Sequence, residues 1–71
     1  MTNSTEIILK ENIKKYRLQK GYSQEKLSEI ANISADYLSE IERGKKLPSF
    51  KRFLMIANAL NIEPYKFLIK E

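Results

Sequence analysis

Lys45, Lys46, Lys51 and Arg52 stand close together with no acid among them, and Lys10, Lys14, Lys15, Arg17 and Lys20 form a second basic run broken only by Glu11. Ammonium and guanidinium groups at this density do electrostatic chemistry, neutralising phosphates and displacing counterions. Between the runs the sign reverses: residues 21–44 set Lys26 and Arg43 against Glu25, Glu29, Asp36, Glu40 and Glu42. Two basic blocks around an acidic centre suit phosphate contacts that flank something else, whereas an evenly basic chain suits phosphate alone. The plainer alternative is that these runs are solvated helix faces. Covalent chemistry is poorly supplied. Cys, His and Trp are absent and Asp36 is the only Asp, which removes thiol nucleophiles, imidazole bases, the usual zinc ligand sets and disulfides. No spacing of Ser, Lys and Glu suggests a hydrolytic or metal centre, so no enzyme, bound metal or cofactor is expected.

The chain that must position these groups has 71 residues and a formal charge of +4, a weak pointer to a polyanionic partner. At this size one domain is expected, spanning 1–71 with its core in 5–70, and a deep active-site cleft is not. A hydrophobic fraction of 42% is too high for a disordered tail. The longest apolar run, Phe53 to Ala57, is too short for a membrane span. Met1 to Glu6 lacks the basic-then-apolar order of a signal peptide, so a cytoplasmic location is expected.

Helix punctuation carries the fold. Leu9, Ile13 and Tyr16 recur on one face between Thr5 and Lys20, and Gly21 follows as a left-handed stop. Ser23 caps a second helix, with Leu27 and Ala31 facing inward and Asn32 closing it. Ser34 opens a third, with Leu38 and Ile41 inward and Gly44 at its end. After the basic turn Lys45 to Pro48, Ser49 caps a fourth, in which Phe53, Ile56, Ala57 and Leu60 share a face and Asn61 stops it. Glu63 and Pro64 begin a fifth, with Phe67 inward. Val is absent and no stretch alternates long enough for a strand, so the expectation is an all-α, five-helix bundle.

Only Asn32 and Ile33 separate the second and third helices, a turn too tight for antiparallel packing, so the two must cross steeply. That is the outline of a helix-turn-helix, whose second helix enters the DNA major groove. The stretch from Ile13 to Phe67 resembles the XRE family, the Cro and phage-repressor-like helix-turn-helix domain. The matching pieces are Ile13 to Arg17, Gly21 to Leu27, Tyr37 to Gly44, Pro48-Ser49, and Ala57 to Leu60, with Ile41-Glu-Arg-Gly44 before a basic turn the most distinctive. Asn32 and Asn61 stand where the family usually has Gly, and Ser28 where it usually has Ala; Asn tolerates the same backbone and Ser is still small.

The resemblance implies a lambda-repressor-like bundle and assigns roles. Ser34, Ala35, Asp36, Ser39 and Glu40 match base-reading positions of a recognition helix over about 34–43. A carboxylate there could accept from cytosine N4, Ser39 could pair with several bases, and Ala35 could touch a thymine methyl. Asp36 equally suits a helix N-terminus for its charge alone. Gln24, first in the second helix, is expected at a phosphate, with a solvated surface role as its alternative. Tyr37 could reach a phosphate with its hydroxyl or be partly buried. Lys45, Lys46, Lys51 and Ser49 are expected on the DNA backbone, with Arg43 and Arg52 at the margin of that group. Arg17, basic enough to pass for a contact, is implied to pair with Glu42 instead.

The expected partner is double-stranded DNA, bound by a homodimer on an inverted repeat, with Tyr65, Leu68 and Ile69 either forming the interface or closing the monomer core. RNA polymerase is a further candidate partner, and no membrane or small-molecule ligand is expected. Such a chain resembles phage repressors, restriction-modification controller proteins and antitoxin-type regulators alike. The alternative function is a protein-interaction module of the same fold, an antitoxin or antirepressor, for which the acidic third helix speaks.

Overall fold

Three serines start three of the helices in the computed structural model, which describes residues 4–70. Ser23, Ser34 and Ser49 hold extended backbones, and each hydroxyl accepts the N–H three residues on, from Lys26, Tyr37 and Arg52. Each bond satisfies one of the donors that a helix start leaves unpaired. The helices are α1 (Ser4–Gln19), α2 (Gln24–Ala31), α3 (Ala35–Glu42) and α4 (Phe50–Leu60), followed by a 3-10 helix at Pro64–Leu68. Met1–Asn3 and Glu71 lie outside the described residues, and with them the ends of the expected 1–71 domain. Among the described residues there is no strand, and no helix is long and apolar enough to cross a membrane.

The stops are as regular as the starts. Among the described residues Gly21, Asn32, Gly44 and Asn61 carry the positive φ angles, at 75°, 59°, 77° and 57°. After each, the next residue's N–H reaches back to a carbonyl of the final turn: Tyr22 to Arg17, Ile33 to Ser28, Lys45 to Glu40 and Ile62 to Ala57. This is the Schellman closure, which usually adds an apolar contact from that next residue. Tyr22, Ile33 and Ile62 supply it by packing on the core. Lys45 does not; it is exposed.

The core gathers the faces expected from periodicity. Ile13, Tyr16, Leu27, Ala31, Leu38, Ile41, Phe53, Ile56, Ala57, Leu60 and Phe67 are buried, and Leu9 packs against them. Phe67 is fully covered and sits edge-on to Tyr16 and Phe53, with ring centroids 5.2 and 5.7 Å away. Edge-to-face geometry brings the positive ring edge onto a negative face.

The expected fifth helix is corrected to a single 3-10 segment. Glu63 makes no side-chain cap and Pro64 has no N–H to offer. The segment's end is held by α1 instead of by a continuing ladder. Asn12, buried on α1, directs its side-chain nitrogen at the carbonyls of Lys66, Phe67 and Ile69, at 3.3, 3.0 and 2.9 Å. Phe67 and Asn12 thus fix by tertiary contact a stretch too short to be stable by itself.

Candidate nucleic-acid interface

The helix-turn-helix unit is built from α2, the connection Asn32–Ser34 and α3. Ser28, which is buried, turns its hydroxyl back to the Glu25 carbonyl at 2.8 Å, so its polarity is satisfied within α2. Leu27, Ala31, Leu38 and Ile41 hold the inner sides of the two helices.

Arg17 braces this unit from α1. Its Nε donates to Glu42 Oε2 at 2.8 Å and its second terminal nitrogen to Oε1 at 2.9 Å, while the first donates to the Tyr22 carbonyl at 2.8 Å. The two side chains are only 8% and 3% exposed. One planar guanidinium therefore ties α1, the turn after it and the last residue of α3, a bidentate geometry that an ammonium group could not reproduce. Gln24 joins the same network, with Nε2 donating to Glu42 Oε1 at 3.0 Å. The side chain expected to be free for phosphate is thereby partly committed to bracing.

Of the residues expected to read bases, Ser34 is the N-cap of α3, and Ala35, Asp36, Ser39 and Glu40 lie within the helix. Ser34 and Asp36 are exposed, and Ala35, Ser39 and Glu40 are half-buried. The Ser34 hydroxyl accepts from the Tyr37 N–H at 3.0 Å, so it caps the helix as well as facing out. Glu40 meets the Lys46 ammonium at 3.3 Å, so one acid of the face is already neutralised by a lysine of the following turn.

Tyr37 joins α3 to the start of α4. Its hydroxyl accepts the Ser49 N–H at 3.1 Å, and the Lys46 ammonium and Arg52 guanidinium lie 5.2 and 5.3 Å from the ring centre. The two cations are held by the ring's negative face. The hydroxyl proton is not used by the Ser49 bond, so the group can still donate outward. Arg43, Lys45, Lys46, Ser49 and Lys51 are all exposed around this junction.

Three features were not foreseen from the sequence. Asn12 is buried on α1 beside Ile13, Tyr16 and Arg17. Lys10 reaches from α1 to the end of α3, with Nζ 3.2 Å from where a Cβ on Gly44 would stand. Phe50, opening α4, is 73% exposed, more than any other large apolar residue described. Tyr65, Leu68 and Ile69 are also exposed and do not close the monomer core.

A braced pair of short helices with a capped outer helix and a basic turn defines a helix-turn-helix protein. The model of the helix-turn-helix family matches residues 13–67, and the chain belongs to that family, of the XRE type. It is 33% identical over 64 residues to the control protein C.SmaI of Serratia marcescens, covering 90% of this chain and 76% of that one. It is 33% identical over 69 residues to the control protein C.BamHI of Bacillus amyloliquefaciens, covering 96% and 85%. The crystal structure of the restriction-modification controller protein C.AhdI from Aeromonas hydrophila superposes with a TM-score of 0.85 at 29% identity, covering 92% of this chain and 98% of that one.

Proposed function

We propose that this protein is a sequence-specific DNA-binding transcriptional regulator that sets α3 in the major groove and binds an inverted repeat as a homodimer. The observation that carries this reading is the Tyr37 junction. It locks the reading helix to the basic start of α4, so base edges and backbone are addressed by one rigid body. Relatedness to control proteins and to a restriction-modification controller supports a regulatory role of that kind.

Within this reading Ser34, Ala35, Asp36, Ser39 and Glu40 meet base edges, while Gln24, Tyr37, Arg43, Lys45, Lys46, Ser49 and Lys51 meet phosphates. Arg17 and Glu42 are structural. Asp36, exposed on the first turn of α3, selects a base edge that presents an amino group and disfavours one that presents only acceptors. Glu40 first has to leave Lys46, which exchanges a carboxylate for a phosphate. That exchange makes binding depend on the right base being present for Glu40. The second copy would dock on Tyr65, Leu68 and Ile69, bringing the two reading helices about one turn of the duplex apart, ~34 Å.

Selection of bound sequences from a random duplex pool tests the reading. Enrichment of a symmetric site with half-sites ~10 base pairs apart is expected. Failure to retain any duplex at low salt would overturn it and favour a protein-interaction module.

A further inference from the structure

The end of α3 breaks the rule the other three helix ends obey. Where α1, α2 and α4 place Tyr22, Ile33 and Ile62 on the core, α3 places Lys45 in solvent with the same backbone bonds. A position that contradicts its own local pattern is held for something other than stability.

A cleft of about 360 Å3 opens at this point, between α1 and the turn that joins α3 to α4. Lys10, Arg43, Lys45 and Lys46 line it together with buried Ile41, and Glu6 is the one acid among the lining residues. Gly44, at φ 77°, has no side chain, and the Lys10 ammonium lies 3.2 Å from where a Cβ would stand. Lys46 is paired with Glu40. Among the described residues Lys10, Arg43 and Lys45 form no ion pair. Lys10 from the basic run of α1 and Lys45 from the run after α3 meet Arg43 in one partly apolar recess. In such a recess their charges are less screened than on an open surface.

We propose that this cleft is a phosphate seat distinct from the α2–α3 face. Lys10 of α1, with Arg43 and Lys45, holds a backbone phosphodiester of the duplex that α3 reads. The inference rests on the DNA-binding reading and adds α1 to the surface that touches DNA. Lys45 is charged because the seat needs a cation where an apolar plug would otherwise close the helix. Gly44 supplies the room for Lys10 as well as the left-handed turn.

The test is the salt dependence of duplex binding by the full chain and by Lys10→Ala, with Lys70→Ala as a control far along the sequence. Lys10→Ala is expected to flatten the slope of log affinity against log salt by ~0.9. Between 50 and 200 mM salt the wild type then loses about 3.5-fold more affinity than the variant. Thermal melting of Lys10→Ala stays at the wild-type value, and Lys70→Ala leaves the slope unchanged. A wild type with a steep slope that Lys10→Ala shares overturns the seat and leaves the function standing. A wild type that binds no duplex at low salt overturns both. Replacing chloride by inorganic phosphate at equal ionic strength separates the sources of the anion. A duplex phosphodiester keeps the difference between wild type and Lys10→Ala, whereas its disappearance makes the cleft a site for free phosphate and overturns the duplex assignment.

Discussion

Arg17 and Lys46 are both basic and both lie near the reading helix, yet their surroundings assign them opposite work. Each nitrogen of the Arg17 guanidinium donates to Glu42 or to the Tyr22 carbonyl, largely out of solvent. Removing it strands a buried carboxylate, at a cost of ~3–5 kcal/mol. At ~4–8 °C per kcal/mol for a domain this size, Arg17→Ala is expected to lower the melting temperature by well over 10 °C in calorimetry. Lys46 is exposed and pairs with an acid of the same surface, so Lys46→Ala should leave melting nearly unchanged and flatten the salt slope of DNA binding. The reverse pattern would exchange their roles. Asn12 belongs with Arg17. Asn12→Ala removes the donor from a buried carbonyl, and ~1–3 kcal/mol of stability should go with it. Faster hydrogen exchange across Pro64–Leu68 would locate that loss. The sequence made the Arg17–Glu42 pairing readable only through resemblance, because residues 25 positions apart share no local signal. Asn12 went unread for the same reason, since its acceptors are backbone atoms more than 50 residues away.

At the scale of elements the chain is explicit, because caps and stops are local. Serine before a helix and Gly or Asn after it place α2 to α4 almost to the residue, and Gly21 places the end of α1, since one hydroxyl or one left-handed φ suffices to set a boundary. The fifth element was misjudged where those local signals ran out: it has a proline but no capping side chain, and its shape comes from Phe67 and Asn12. The cap serines offer a matched pair of variants. Ser23→Ala and Ser34→Ala should each cost ~1 kcal/mol and lower melting by ~4–8 °C. Only Ser34→Ala should also change the preferred DNA sequence, because of the two only Ser34 is proposed to meet a base edge. The stops offer a sharper contrast. Lys45→Ile supplies at α3 the apolar residue found at the other three stops, so it should raise the melting temperature, by ~0.5–2 kcal/mol of added stability, while flattening the salt slope of DNA binding by ~0.9. A variant that gained stability and kept its full salt slope would show that Lys45 lies off the DNA.

The whole molecule is small for the work proposed, with Cα extents of 30 × 23 × 21 Å. One copy offers a single two-turn α3, with Lys10, Arg43, Lys45 and Lys46 beside its end. Specific recognition then calls for a second helix at a fixed spacing, and the surface carries apolar residues that the monomer does not use. Tyr65, Leu68 and Ile69 cluster at the 3-10 helix, away in sequence from the cations of the α3–α4 turn. A copy docked there covers three exposed apolar residues, flanked by Lys66 and Lys70, whereas docking across Phe50 covers one, flanked by Lys51. Leu68→Glu is therefore expected to sediment as a monomer at micromolar concentration where the wild type sediments as a dimer, and to lose the concentration dependence of melting that a dimer shows. The monomer should still bind a single half-site weakly and lose its preference for the inverted repeat, since spacing and not contact chemistry has been removed. Phe50→Glu should remain dimeric in the same experiment. If it dissociates while Leu68→Glu does not, the interface belongs to the start of α4, and the two reading helices would have to be related by an axis next to the basic turn.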